Sequence, residues 1–169
     1  INERCIDCGE CLRVCPYHAK KAIADSFEAI YAYKYRIAIP APTLYGQFKT
    51  SFTRNQILNA LKNIGFDKVY EVAKAAEIVS DATRKYLKKY ELKKPIISSA
   101  CPAVVRLIQV RFPNLIDNIL KLESPMEVAA KIIKDKVIKE GYFKPSEIGE
   151  FFITPSAAKV TSVKDPYEK

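Results

Sequence analysis

YRIAIPAPTLYG, Tyr35 to Gly46, sets the architecture. Tyr35 to Ile39 is a short apolar run that reads as a buried strand, stopped by Pro40 and Pro42. Outward from it, strands and helices alternate. Thr53 can N-cap a helix over Arg54 to Ile64, where Ile57, Leu58, Leu61 and Ile64 recur at helical spacing and Gly65 stands at C′. Lys68 to Val72 reads as a second strand. Ala73 to Tyr90 reads as a long helix with Ala76, Val79, Ala82, Thr83 and Tyr86 along its inner face. Pro95 to Ser99 reads as a third strand, and Cys101 opens a helix through Val110 with Pro102 in its first turn. Ser124, Pro125 and Glu127 have the pattern of a capping box ahead of a helix that runs to Glu140 and stops at Gly141. Glu150 to Ile153 is the last expected strand, and Thr154 and Pro155 begin a loop or helix. Residues 25–34 predict a short helix leading into this body, and Val163 to Lys169, polar and carrying Pro166, predict a fraying end. Alternation of this kind gives an α/β fold, a short parallel sheet flanked by helices. Ligands of such sheets gather at the carboxyl ends of the strands, so Pro40–Gly46, Ser98–Cys101 and Thr154–Lys159 are the loops to inspect.

Ahead of the body lies CIDCGECLRVCP, in which Cys5, Cys8, Cys11, Cys15 and Pro16 form C-x2-C-x2-C-x3-C-P. This is the spacing of the bacterial ferredoxin run. Two residues between ligands let the backbone curl round a cuboidal cluster and aim N–H groups at its sulfides. Gly9, lacking a Cβ, allows the close approach, and Pro16 stiffens the exit. Thiolates are soft donors suited to a [4Fe–4S] cluster. Zinc sites more often use two separated C-x2-C pairs or add histidines, and the one histidine, His18, lies outside the spacing and reads as a surface or neighbouring residue. In two-cluster ferredoxins the fourth cysteine of such a run binds the other cluster. Two arrangements therefore stand: four thiols on one cluster, or Cys15 serving a second cluster whose remaining ligands precede Ile1.

The bulk composition narrows the class. The chain has 169 residues, 49% hydrophobic and 28% charged, which suits a globular domain. No apolar run approaches the roughly 18 residues of a membrane span. The chain opens at Ile1 without a start methionine or signal-like segment, and is expected to be an excised piece. Five cysteines, four of them crowded, fit a reducing compartment and metal binding rather than a disulfide framework, which points to the cytoplasm. The net charge of +9 is carried by lysines interleaved with acids, as in Lys131, Lys134, Asp135, Lys136 and Lys139. That pattern reads as a solvated basic face, secondarily as a docking face for an acidic redox partner, and not as a nucleic-acid surface. Ser51, Thr53 and Arg54 form no phosphate loop, since no Gly-rich motif accompanies them. Tyr31, Tyr33 and Tyr35 are expected to pack between the cysteine segment and the body, and Met126 in the core. Cys101, at a helix N-terminus where a thiolate is stabilised, is either a ligand or a buried free cysteine.

Four motifs in order resemble the [FeFe] hydrogenases over nearly the whole chain. S-S-A-C-P (Ser98–Pro102) resembles their T-S-C-C-P, T-P-S-A-A-K (Thr154–Lys159) their M-P-C-x-x-K, P-A-P-T (Pro40–Thr43) their A-P-x-x-R loop, and E-S-P-M (Glu123–Met126) the S-P helix start between the two cysteine motifs. The resemblance implies the first lobe of the iron hydrogenase catalytic domain over residues 35–169, truncated at its C-terminus, preceded by an incomplete ferredoxin-type segment at 1–24. It implies that Cys101 matches a ligand of the [4Fe–4S] part of the H-cluster. Lys159 matches the lysine that pairs with a cyanide of the di-iron centre, and Pro42 and Thr43 match residues lining that centre. Ser156 stands where the family has a second cluster-ligating cysteine, and Ala100 where productive enzymes carry the proton-delivering cysteine. Two further ligands come, in the family, from a later motif beyond Lys169. This chain alone is therefore expected not to hold an intact H-cluster.

The resulting expectation is an iron–sulfur electron-transfer protein of the sensory or regulatory branch, with a [4Fe–4S] cluster and no efficient hydrogenase activity of its own. Its expected partner is a redox protein or the missing C-terminal lobe. The alternatives are an oxidoreductase subunit active when full length, and a structural or interaction module that the cluster staples.

Overall fold

The computed structural model describes residues 3–164. Its elements run α1 (Glu10–Val14), β1 (Tyr35–Pro40), α2 (Arg54–Asn63), β2 (Lys68–Val69), α3 (Val72–Lys89), α4 (Pro102–Arg111), α5 (Pro125–Glu140), β3 (Ile148–Ile153) and α6 (Ala157–Lys164). Four 3-10 turns join them: Phe27–Ala32, Pro42–Gln47, Pro113–Asn118 and Pro145–Glu147. The chain packs as two compact units. One comprises Asp25–Asp81 and Pro125–Thr154; the other comprises the residues up to Ala24, Ala82–Ser124 and those from Pro155 on.

The first unit holds a three-stranded, wholly parallel sheet in the order β2-β1-β3. β1 is central: Ile37 lies opposite Lys68 on β2 and Glu150 on β3, and Ala38 opposite Val69 and Phe151. Its side chains alternate between two apolar clusters, as the strand period of two requires. Ile37 and Ile39 pack with Val72 and Ala75 of α3, Ala129, Ile133 and Val137 of α5, and Ile148. Ala38, on the opposite face, packs with Ile30, Leu61 and Phe66. The expected strand at Tyr35 extends through Pro40, which closes it as its last residue. α2 begins where the sequence indicates, with Thr53 and Gln56 exchanging backbone and side-chain hydrogen bonds as a capping box. Gly65 follows its end at φ +124°.

Some of the expected bounds need correction. The second strand ends at Val69, not Val72. Tyr70 N–H still donates to Ala38 O at 2.9 Å, but Glu71 turns away and Val72 already begins α3. On α3 Val72 and Ala75 are buried, the expected Ala76, Val79, Thr83 and Tyr86 are half-buried, and Ala82 is exposed. The short helix expected within residues 25–34 is a 3-10 helix over Phe27–Ala32.

In the second unit, Pro95–Ser99 is not a sheet strand. Ile97 makes one isolated parallel bridge to Ile119, receiving from Leu120 N–H (2.8 Å) and donating to Asn118 O (2.9 Å). Asn118 is buried, and its Nδ2 donates to the carbonyls of Lys93 (3.2 Å) and Pro95 (2.7 Å). A side chain thus occupies the acceptors that a neighbouring strand would use. α4 packs on the Pro113–Asn118 turn and on α6. Of the expected fraying end, Val163 and Lys164 lie in α6, and the rest falls outside the described residues.

Tyr31, Tyr33 and Tyr35 find their ring partners inside the first unit. Tyr31 meets Phe27 at 6.3 Å, Tyr33 meets Phe151 at 5.6 Å and Tyr35 meets Phe143 at 4.8 Å. The Tyr33 ring lies over Gly149 of β3, where an added Cβ would fall 2.6 Å from Tyr33 Cγ. Gly149→Ala is therefore expected to lower the unfolding free energy by about 1–3 kcal/mol through overpacking, measured by urea denaturation. An unchanged midpoint would show that the Tyr33 ring moves aside freely.

Candidate functional site

The cysteine segment turns back on itself through left-handed steps at Asp7 (φ 55°), Gly9 (φ 79°) and His18 (φ 49°). These steps aim amides at sulfur: Asp7 N–H donates to Cys5 Sγ and Ala19 N–H to Cys15 Sγ, each at 3.4 Å. Hydrogen bonds from Ala19 and then Tyr17, with smaller ones from Lys20 and His18, hold the Cys15 thiol below its ordinary pKa against the opposing effect of burial. α1 starts directly after Gly9, whose carbonyl accepts from Leu12 (3.0 Å) and Arg13 (3.2 Å), and Cys11 lies in that single turn. Cys5 and Cys15 are half-buried; Cys8 and Cys11 are exposed, as is His18. Four soft thiol donors and N–H groups directed at sulfur fit an anionic iron–sulfur cluster by their chemistry. Among the described residues no group of three or more His, Cys, Asp or Glu side chains is disposed to hold a single metal ion.

Gly9 also meets α6. A Cβ at this position would stand 3.2 Å from the Ala157 Cβ, on a backbone that L side chains rarely adopt.

The loops of the second unit end in helix caps. Cys101 is the N-cap of α4, its carbonyl accepting from Val104 and Val105 at 3.1 Å each, with Pro102 at the first helical position. It is exposed, which removes the reading of a buried structural cysteine. Just before it, buried Ser99 donates to Leu122 O at 2.7 Å, and Ala100 N–H donates to Ser98 Oγ at 3.3 Å. Ser156 caps α6: its Oγ accepts from Lys159 N–H at 3.4 Å, and its carbonyl accepts from Lys159 and Val160 at 3.1 Å each. One exposed thiol and one capping hydroxyl do not fit the H-cluster, whose iron needs several soft ligands.

Pro42 and Thr43 lie exposed on the 3-10 turn that follows β1 in the first unit. The side chains organising this turn were not legible beforehand. Glu71, at the same carboxyl edge after β2, is 8% exposed in its side chain. It accepts from the Tyr45 hydroxyl and from both arms of the Arg54 guanidinium, Nε at 2.8 Å. Arg54 lowers the Glu71 pKa, burial opposes, and Tyr45 adds to the lowering. Burial and then Glu71 push the Tyr45 phenol up to about 12, and Arg54 itself is raised by Glu71. The only signal for this in sequence was an acid ending an apolar strand. At the opposite, amino end of these strands, burial pushes Asp67 up, but Arg36, with Nε at 2.9 Å, outweighs it and leaves the carboxyl lowered.

A ferredoxin-spaced thiol run and a parallel α/β lobe in one chain define an iron–sulfur protein of the α/β class. Residues 34–168 match the family described as "Iron only hydrogenase large subunit, C-terminal domain", and residues 1–21 match "4Fe-4S binding domain". The chain belongs to the iron-only hydrogenase large-subunit family, with a [4Fe–4S] motif at its amino end. It is 25% identical over 150 residues to the NADP-reducing hydrogenase subunit HndD of Solidesulfovibrio fructosivorans, covering 77% of this chain and 26% of that protein. It is 25% identical over 135 residues to the periplasmic [Fe] hydrogenase large subunit of Nitratidesulfovibrio vulgaris, covering 73% and 32%. The chain thus spans a quarter to a third of the length of these curated relatives. Among solved structures, a variant of [FeFe]-hydrogenase HydA1 from Chlamydomonas reinhardtii superposes with TM-score 0.61 at 19% identity, over 85% of this chain and 38% of that one. An [FeFe]-hydrogenase studied for oxygen inactivation gives TM-score 0.60 at 18% identity, over 78% and 36%. These likenesses establish the fold. No helix among the described residues is long and apolar enough to cross a membrane.

Gly9→Ala is expected to cost about 1–2 kcal/mol from the left-handed backbone alone and to lower the iron retained per chain, read by colorimetric iron assay. Equal iron in the variant would show that the Gly9 turn is not needed. Stability should also depend on pH with a definite sign. Glu71 and Asp67 titrate lower in the folded state, so their contribution is full above the ordinary carboxylate pKa and is lost as pH falls through the lowered values. Urea midpoints measured between about pH 6 and pH 3 should fall, and less steeply in Glu71→Gln. Parallel slopes would remove Glu71 as the cause.

Proposed function

We propose that this chain is an electron-transfer part of a hydrogenase-like protein with a sensory or regulatory role, and that it is not itself an efficient hydrogenase. Cys5, Cys8, Cys11 and Cys15 are its cluster ligands, in a ferredoxin-type segment over residues 1–24 ahead of a hydrogenase-like lobe over 35–169. When bound, the cluster supplies one-electron chemistry. Cys5 and Cys15 would hold it with their sulfurs accepting from the Asp7 and Ala19 amides, while Gly9 packs the segment closely against Ala157 of α6. The partner is a redox protein or a C-terminal lobe like that of the relatives, and a reducing cytoplasm suits the crowded thiols.

The observation that carries this reading is the chemistry of the two capped loops. Ala100 presents a methyl group where a proton carrier would be needed, and an alanine neither gives nor takes a proton. Ser156 uses its hydroxyl in the α6 cap and offers iron a hard oxygen in place of a thiolate. Cys101, Lys159, Pro42 and Thr43 keep the family's residue types at their positions.

Anaerobically purified protein reduced with dithionite should give a low-temperature EPR signal of a reduced [4Fe–4S] cluster, with about four irons and four sulfides per chain. Cys11→Ala should abolish it. Hydrogen evolution from reduced methyl viologen should remain at background. Bound zinc in place of iron, or rapid hydrogen evolution, would overturn the assignment.

A further inference from the structure

We infer that Arg106 of α4 is a positioning residue for the amino-terminal iron–sulfur cluster and raises its reduction potential. The inference rests on the assignment of Cys5 as a ligand. α4 reads PAVVRLIQVR, and Arg106 is its one charged residue before Arg111 at the C-terminal end. The side chain is half-buried. Its Nε donates to the carbonyl of Cys5 and its Nη2 to the carbonyl of Glu3, each at 3.4 Å. One planar fork therefore spans the residues that lead into the first thiol of the run.

Two physical consequences follow from that placement. The first is mechanical. The segment carries left-handed steps at Asp7 and Gly9. It meets the packed pair α4 and α6 at two points: Arg106 on the Cys5 side and Ala157 against Gly9. Releasing either anchor frees the ligand loop. The second is electrostatic. Reduction adds one negative charge to the cluster, and a fixed cation at the backbone of a ligand stabilises the reduced form more than the oxidised one. The other charges of the segment are mixed: Glu3, Asp7 and Glu10 against Arg4, Arg13, Lys20 and Lys21, with Arg13 and Glu10 paired to each other at the surface. Arg106 adds a cation from another element, held at the backbone of a ligand.

The test compares Arg106→Gln, Arg106→Lys and Arg111→Gln in the anaerobically purified chain, by EPR-monitored potentiometry and by the rate of iron release to an Fe(II) chelator. Arg106→Gln should move the midpoint potential negative and release iron about fivefold faster, the loss of roughly one net hydrogen bond. Arg106→Lys keeps the charge and loses the fork, so its potential should stay at the wild-type value while iron release accelerates. Arg111→Gln removes the same charge from the same helix at an exposed site and should change neither. Equal shifts in Arg106→Gln and Arg111→Gln, or no shift in either, would overturn the inference. If Arg106→Gln does not fold, Arg106→Lys decides, and wild-type iron release in it counts against the anchor. Wild-type protein without a cluster would instead sink the ligand assignment, a result distinct from both.

Discussion

The parallel pairing of β1 on both edges is the constraint from which the sheet-bearing unit follows. A strand flanked by two neighbours and covered on both faces can carry no polar side. Ile37 and Ile39 fill one cluster and Ala38 the other, with Arg36 left at the amino end beside Asp67. Because the three strands run the same way, the segments leaving β1 and β2 emerge at one edge. That edge carries Pro42 and Thr43, and also the one carboxylate of the unit that is nearly sealed from water. A buried carboxylate stripped of its partners is destabilising by several kcal/mol, so Glu71 is tolerable there only with Arg54 and Tyr45 in place. The same two residues come from α2 and from the 3-10 turn after β1. Burying Glu71 thereby fixes the turn that presents Pro42 and Thr43.

The cysteine segment answers to a different constraint. It buries little apolar surface: no residue of α1 is buried, and Val14, Tyr17 and Ile23 are exposed. Non-glycine residues in left-handed conformations, Asp7 and His18, add backbone strain. Metal binding can offset this, because a site assembled from several thiolates converts binding free energy into folding free energy. Gly9 stands where the two requirements meet. It is the turn that starts α1, and it is the point at which the segment presses on Ala157.

Much of this was legible in the sequence, and what was not has definite causes. The helix starts at Thr53, Cys101 and Pro125 and the stops at Gly65 and Gly141 were readable because caps and left-handed glycines are local chemistry. The strand at Tyr35 was readable because a buried parallel strand must be apolar throughout. Pro95–Ser99 misled because a short apolar run shows nothing of where its hydrogen bonds go, and here Asn118, some twenty residues later, takes the carbonyls. The end of β2 at Val69 was hidden for the same kind of reason. Val72 is apolar whether it ends a strand or begins a helix, and only the Glu71 network decides between them. The thiol run was plain from spacing alone. Arg106 and the Glu71 cluster were not, since each joins residues far apart in the chain through polar atoms that carry no periodicity.

The two departures from the family's motifs differ in what they cost the fold. Serine is among the best N-cap residues, so Ser156 starts α6 as well as a metal-bound cysteine would, while withdrawing a soft donor. Ala100 precedes a cap that Cys101 provides through its backbone, so a methyl group at that position disturbs neither α4 nor the Ser99 bond to Leu122. Both residues therefore leave the starts of α4 and α6 intact. The starts of α4 and α6 stand on caps that need no metal, whereas the thiol segment presents donors suited to a cluster.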